Sequence, residues 1–549
     1  MSALVDSGNA PPTNRHAPSR WAALGVCLFL AGIIWTVFGQ TIGHDFVSLD
    51  DDENVYENLV VAKGLSLRAI GWAFTHAQVS RWVPVSTLAH MVDAQLYGLW
   101  PGGHHLTSVL LHTATAILLF LLMRELTAAL WRSAFAAALF AIHPLHVEAV
   151  AWVSALQYTL SGLFFVLTIW AYLRYVRQPT RGRYGVMLLL FLLVLLSKEI
   201  LLTLPCVLLL LDFWPLNRIP TVNAKGAPLS PPERWAAFGR LVVEKIPLFA
   251  LSAGFVLTTF LSRRSFLQPV ETFSLPVRIG NAFVSYAVYL RQMLFPSELT
   301  PWYPHPGRNL PVGQVLLSLA IVLAISAWAY ASRQKRPYLL VGWLWYLGML
   351  VPVIGFIQGG EQAHCDRYTY LSQIGLSIML AWTAADIFAG WRYRRAFLAT
   401  AAVAVLLPLV LCAHRQASYW RNSETLWVHT LASTTDNYVA HNNLATWLAQ
   451  RKRMPEAVGH FQKALRIKPS SAEAQNNVGY ALALLGRWPE AIGHYQQALR
   501  LKGDFINARM NLGDALLALG KSAEAQAQYD EAARQHPELF KQPAKPARP

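Results

Sequence analysis

The chain has 549 residues, is 54% hydrophobic and only 14% charged, and carries a formal net charge of +16. Soluble domains carry about 25% charged residues, so this composition excludes an ordinary water-soluble protein. The basic excess gathers in short loops between apolar stretches, which reads as membrane topology and excludes a nucleic-acid binder.

In chain order, the segment 1–20 is polar and contains Arg15 and Arg20, and is expected to be a cytoplasmic tail. Trp21–Gln40 is the first apolar span, retained rather than cleaved as a signal peptide. A long outer loop, 41–104, comes next. Its stretch "LSLRAIGWAF", with Trp72 and Phe74, has the spacing of a helix lying at the interface. Further apolar stretches are His105–Met123, Phe135–Ile142 running on towards Trp152, Leu160–Tyr175, Tyr184–Leu196, Leu201–Phe213, Ile246–Leu261, Ile279–Phe295, Val312–Ala331, Leu339–Ile357, Tyr370–Ile387 and Ala396–Cys412. The basic loops Arg174–Arg183, Ser332–Arg336 and Trp391–Arg395, with the segment Asn217–Lys245, are expected in the cytoplasm. Twelve crossings would return the C-terminus inside, whereas "WRYRR" places everything after Cys412 outside. One stretch therefore fails to cross. Ile279–Phe295, with Asn281, Arg291 and Gln292, suits an interfacial or re-entrant helix, leaving eleven spans.

After Cys412 the chain turns polar and repetitive. Asn443, Asn477 and Asn511 are 34 residues apart, as are Ala457, Ala491 and Ala525, and Phe461, Tyr495 and Tyr529. Small residues at fixed positions let paired helices touch, and the aromatics fill between them. This is the signature of tetratricopeptide repeats. The organisation expected is a polytopic membrane domain over 21–416 and a repeat domain over 417–539, with units near 438–471, 472–505 and 506–539 and a disordered tail, 540–549. The fold class is all-α: a helical membrane domain followed by an α-solenoid.

The densest acidic block, "FVSLDDDENVYENLVV" (Phe46–Val61), stands just beyond the first span. One or two of these acids serve as helix caps. Four in a row repel and raise one another's pKa values, which suits a general base or a divalent-cation site. "HPLHVE" (His143–Glu148) invites a zinc reading, but the spacing is not H-E-x-x-H and Pro144 breaks the helix that would align two ligands. His104 and His105 read as lining the start of a span. No cysteine pair or firm metal signature appears, so the cofactor is unknown and a divalent cation stays open.

The acidic block resembles the first-loop signature of GT-C class membrane glycosyltransferases, and is most similar to the transmembrane, tetratricopeptide-repeat-containing O-mannosyltransferase-like family. Asp50 and Asp51 match its Asp pair after Phe-Val, and Asn58 and Val61 match the Asn and Val a few residues beyond the pair. The resemblance continues through Arg81–His112, "HPLHVEAVAWVS" (His143–Ser154), Leu195–Leu216, "DRYTYL" (Asp366–Leu371) and the repeats.

The resemblance implies transfer of a hexose such as mannose from a polyprenyl-phosphate donor to Ser or Thr hydroxyls of exported proteins, with inversion. Asp51 is placed slightly ahead of Asp50 as base. Arg367, Lys198 and Arg81 are candidate donor-phosphate residues, with Arg291 also on the outer side. Asn443, Asn477 and Asn511 would grip the acceptor peptide in the repeat groove. The partners implied are the lipid-linked donor, an acceptor protein and membrane lipid. The location implied is the inner membrane, with the first loop and the repeats on the periplasmic side. The chain departs from many bacterial relatives at Leu156, Gln157 and Tyr158, where they carry Arg-Lys-Asp. The competing functions are a membrane-anchored repeat scaffold for envelope assembly and a lipid-linked glycan ligase.

Overall fold

The computed structural model describes residues 20–77, 81–219, 230–263, 273–357 and 360–537. The expected N-terminal and C-terminal tails fall, but for Arg20, outside the described residues. Helices make up most of the described chain, and Pro304 and Gln362 form an isolated antiparallel bridge.

The membrane domain runs through α1 (Arg20–Phe38), α2 (Leu67–Thr75), α3 (Pro84–Tyr97), α4 (Pro101–Thr127), α5 (Leu130–Ile142), α6 (Val147–Ala151), α7 (Leu156–Arg177), α8 (Arg181–Ser197) and α9 (Leu204–Phe213). It continues through α10 (Pro231–Glu244), α11 (Ile246–Arg263), α12 (Leu275–Leu294), α13 (Val312–Ala331), α14 (Pro337–Leu350), α15 (Thr369–Ile387) and α16 (Arg394–Ser418). Helices α4, α5, α7 and α15 form the centre, and α1 lies against α4, α5 and α16. Helices α14 and α15 cross at two glycines. A Cβ on Gly375 would meet the Gly342 carbonyl oxygen at 2.2 Å, and one on Gly342 would meet that of Gly375 at 2.4 Å. Small residues at this crossing permit backbone contact that any side chain would block.

By length and apolarity five described helical stretches can cross a bilayer, or seven if each of two sharply bent pairs counts as one crossing. That is fewer than the eleven expected. The difference lies in broken and shortened helices. Between α5 and α6 the axis bends by 52° at His143-Pro144, because proline cannot continue the helical hydrogen bonding. Only ten residues of Leu201–Phe213 are helical, and the stretch expected to run to Ile357 leaves its helix at Leu350, just before Pro352. Helices wrapped by protein need not span the bilayer unbroken, because neighbours can satisfy their ends. Helix α12, expected not to cross, is long enough at 20 residues but is not among the stretches apolar enough to span. Its Asn281 amide donates to the Ala363 carbonyl at 2.8 Å.

Basic turns gather at one end of the bundle. Arg174 and Arg177 of the α7–α8 turn meet Glu125 near the end of α4, and Asp386 near the end of α15 takes Arg132 and Tyr338. The acidic block lies at the other end, beyond α1 and before α4. Within that loop, α2 is capped by Ser66, whose hydroxyl accepts from the Ala69 amide at 3.0 Å. It buries Ala69 and Ala73 and turns Leu67 (90% exposed), Ile70 and Phe74 outward, as an interfacial helix should.

After α17 (Ser423–Ser433) the repeats pair α18 (Tyr438–Gln450) with α19 (Met454–Ile467), α20 (Ala472–Leu484) with α21 (Trp488–Leu501), and α22 (Ile506–Ala518) with α23 (Ser522–Gln535). Ala457, Ala491 and Ala525 are buried, and the rings of Tyr495 and Tyr529 lie over Gly479 and Gly513, where a Cβ would fall 2.7 Å and 2.4 Å from ring carbons.

The solenoid stands on the acidic-loop end. The Asp45 amide donates to the Arg421 carbonyl at 2.9 Å, the Ser48 amide to the Ser423 hydroxyl at 2.8 Å, and Trp152 stacks on Trp420 with ring centroids 6.2 Å apart. Glu361, from the loop before α15, receives both Lys468 and the Tyr438 hydroxyl from the first repeat.

Candidate active site

The first-loop block is held in a wide helical turn. Asp52–Tyr56 closes with the Glu57 amide on the Asp52 carbonyl at 2.9 Å, and the Asn54 amide reaches the Asp50 carbonyl at 3.0 Å. Asp50 itself has φ +64°. This left-handed conformation costs an ordinary L residue energy, though Asp tolerates it better than most. The reversal of backbone hand gives the two neighbouring carboxylates different surroundings.

Asp51 is fully buried. Its Oδ1 accepts the Ser154 amide at 2.9 Å and the Ser154 hydroxyl at 2.6 Å, and its Oδ2 accepts the Val47 amide at 2.9 Å. Burial pushes its pKa up to about 7, opposed by these hydrogen bonds and reinforced by Asp50. Asp50, by contrast, lines a small open cleft together with Asn54, Arg81, Val83, Ser86, Thr87, His90, Ser154 and Gln157. Glu53 points elsewhere, into the field of Glu473 on α20. Burial first, then Asp50, Asp52, Glu57 and Glu473, raises its pKa. The mutual repulsion expected within the acidic block is therefore present at Glu53.

The three candidate cations take different places. Arg81 lines the cleft itself. Burial works against its charge, while Glu199, Tyr158 and Asp50 hold it cationic, so that its pKa is raised. Lys198 lies one side chain behind: its Nζ donates to Gln157 Oε1 at 3.1 Å and stands 3.8 Å from the centre of the Tyr158 ring. Of Leu156, Gln157 and Tyr158, the last two thus hold this lysine. Arg367 is bound by Glu148, through a guanidinium–carboxylate pair and through its own amide on Glu148 Oε2 at 2.7 Å. The acids nearer to Arg367 in sequence take other partners: Glu361 pairs with Lys468, and Asp366 accepts the Tyr303 hydroxyl at 2.9 Å.

His143 and His146 both bond to backbone carbonyls, of Met293 at 3.0 Å and Phe140 at 2.7 Å. With Glu148 committed to Arg367, "HPLHVE" is a packing corner. In the repeats, Asn477 Nδ2 donates to Asn442 Oδ1 and Asn511 Nδ2 to Asn476 Oδ1, each at 2.9 Å. These two asparagines join one repeat to the next. Asn443 is half-buried on α18.

Sequence reasoning passed over Ser154, Gln157, Ser86 and Thr87 as cleft residues. Ser154 and Gln157 lie about a hundred residues from the acids, and no local spacing marks them. It also passed over a buried trio, His90, Asp93 and His104, for which the one local signal is the H-x-x-D step on α3.

Tetratricopeptide repeat patterns match residues 436–504 and 482–542. The human protein O-mannosyl-transferase TMTC1 is 25% identical over 519 residues, which cover 86% of this chain and 58% of that protein. The mouse TMTC1 is 23% identical over 583 residues, covering 86% and 61%. The Drosophila melanogaster Tmtc2 is 30% identical over 164 residues, covering 28% and 17%. The chain thus spans about three-fifths of the length of the TMTC1 relatives. A membrane domain with an acid-lined cleft, an attached set of repeats and similarity running through both lead to one statement: the chain is a relative of the transmembrane and tetratricopeptide-repeat-containing O-mannosyltransferase-like family.

Proposed function

We propose that this chain is a GT-C type glycosyltransferase that moves a hexose such as mannose from a polyprenyl-phosphate donor to Ser or Thr hydroxyls of exported proteins, with inversion. The observation that carries the reading is that Asp50 and Arg81 line one small cleft, in the loop on which the solenoid is docked through Asp45 and Ser48. The names of the relatives, which are protein O-mannosyl-transferases, agree with it.

Asp50, rather than the enclosed Asp51, acts as base in this reading. The acceptor hydroxyl gives its proton to the Asp50 carboxylate as its oxygen attacks the anomeric carbon. The bond from that carbon to the lipid phosphate breaks, and the phosphate leaves with the electron pair. A positioned carboxylate contributes about 10²–10⁴ in rate to such a step. Arg81 stabilises the departing phosphate, and Lys198, held by Gln157, adds positive potential behind it. Asp51 is a positioning residue: bonded to Val47 and Ser154, it pins the turn that presents Asp50. The repeats hold the acceptor chain above the cleft, and the cleft and the repeats face the periplasm while the basic end faces the cytoplasm.

The test is glycoproteomics of envelope proteins from cells with the gene, without it, and with Asp50→Asn. Loss of a hexose from Ser or Thr in the last two supports the proposal. An unchanged profile overturns it and favours the scaffold, whose role needs no carboxylate.

A further inference from the structure

Next to the cleft lies a second group of side chains that the transfer reaction does not use. His90 and Asp93 lie one turn apart on α3, and His104 is in the first turn of α4. Gly98, with φ +61°, begins the short turn that folds α4 back against α3. All three are buried, with 4%, 2% and 1% of their surface exposed. One nitrogen or carboxylate oxygen from each lies within 4.8 Å of those from the other two.

Hydrogen bonding leaves each with a buried polar atom that has no partner. His104 Nε2 is 3.0 Å from the Gly98 carbonyl, so the proton is on Nε2 and Nδ1 is bare. Asp93 Oδ1 accepts the Thr107 hydroxyl at 2.6 Å. His90 Nδ1, Asp93 Oδ2 and His104 Nδ1 are all buried without a hydrogen-bond partner. The last two are 3.9 Å apart, too far for a hydrogen bond between them. Buried polar atoms without partners are uncommon and costly, and a cation among these three would satisfy all of them.

We propose that His90, Asp93 and His104 bind a divalent transition-metal ion of the zinc type, with a fourth coordination position left for water on the His90 side, towards the cleft. Two imidazole nitrogens and one carboxylate oxygen are the donors such an ion takes, whereas Mg²⁺ and Ca²⁺ select oxygen. Ligand bonds of about 2.0–2.1 Å require the donors to close to about 3.4 Å from one another, a movement of about 1 Å within reach of side-chain rotation. The outer partners are already set: Gly98 fixes the tautomer of His104, and Thr107 orients Asp93. The ion ties α3 to α4. It thereby fixes Ser86 and Thr87, which line the cleft with Asp50.

The experiment uses the full chain, purified in detergent with a tag free of histidine, stripped with chelator and titrated with Zn²⁺, Co²⁺ and Mg²⁺. One Zn²⁺ per chain should be retained, the thermal midpoint should rise with Zn²⁺ but not Mg²⁺, and Co²⁺ should give visible d–d absorption. Asp93→Asn and His90→Ala should each weaken retention tenfold or more, and Thr107→Ala, which removes no ligand, should weaken it less. His441 and His460, whose Nδ1 atoms lie 2.9 Å apart in the repeats, provide the control: His441→Ala should leave retention unchanged. No stoichiometric metal and no Co²⁺ absorption in the unmutated chain overturns the proposal. So does retention that survives Asp93→Asn or is lost with His441→Ala. The absorption of the unmutated chain, read together with that of His441→Ala, decides the matter even if a ligand variant misfolds.

Discussion

Arg367 and Glu148, 219 residues apart in sequence, form a buried pair in which both the guanidinium and the backbone amide of Arg367 engage one carboxylate. The pair ties the turn before α15 to the short helix α6 and seats Arg367 5.3 Å from the ring of Trp152. That tryptophan in turn donates to the Leu49 carbonyl at 2.7 Å, next to Asp50. A guanidinium is thus linked through one aromatic ring to the acidic turn.

Removing one partner of such a pair leaves a buried charge uncompensated. Glu148→Gln should destabilise the membrane domain by about 3–5 kcal/mol. Glu148→Gln combined with Arg367→Met should recover part of this loss, because no lone charge remains. Thermal unfolding of both variants in detergent checks the order.

Asp50→Asn should lower transfer of the sugar by about 10²–10⁴ without a change in elution profile or thermal midpoint, because its carboxylate lines an open cleft. Arg81→Met should lower the rate while leaving binding of the acceptor peptide unaffected. The measurement is single-turnover transfer from a lipid-linked sugar to a Ser-containing peptide.

Asp51 predicts a pH dependence. Its carboxyl is raised from 3.8 to about 7 on folding. A folded state that holds its proton more tightly gains stability at acid pH, and that increment falls away as pH climbs from about 4 to about 7. The Ser154 hydroxyl bond favours the ionised form, so its removal matters most above this range. Ser154→Ala should cost about 1.5–3 kcal/mol at pH 8.5 and less than about 1 kcal/mol at pH 5. Thermal midpoints at the two pH values give the comparison.

Gly375→Ala should force α14 from α15, since the new methyl would fall 2.2 Å from the Gly342 carbonyl oxygen. A cost of about 1–3 kcal/mol is expected from overpacking. Gly254→Ala, where a Cβ meets nothing within 4 Å, should be neutral in the same thermal-unfolding assay.

The repeats were legible because their period is local. Helices α18, α20 and α22 begin at Tyr438, Ala472 and Ile506, the residues from which the 34-residue step counts. The membrane domain was legible as apolar segments but not as whole crossings. Hydropathy marks Leu339–Ile357 as one stretch, while the helix stops where Pro352 approaches and side-chain packing takes over. The acidic block was legible as a cluster. The difference between Asp50 and Asp51 was not, because it depends on a backbone angle at one residue and on a serine 103 residues away. The His90, Asp93 and His104 trio needed the fold-back at Gly98 to bring two helices together.

The loop that carries Asp50 is anchored at Asp45 and Ser48 to Arg421 and Ser423, at the root of the solenoid. Those anchors lie within five residues of the carboxylate, and the reversal of backbone hand falls at Asp50 itself. The solenoid is therefore a lever arm with a short fulcrum. A load that tilts the repeats bears first on these two hydrogen bonds, and so on the segment that carries Asp50.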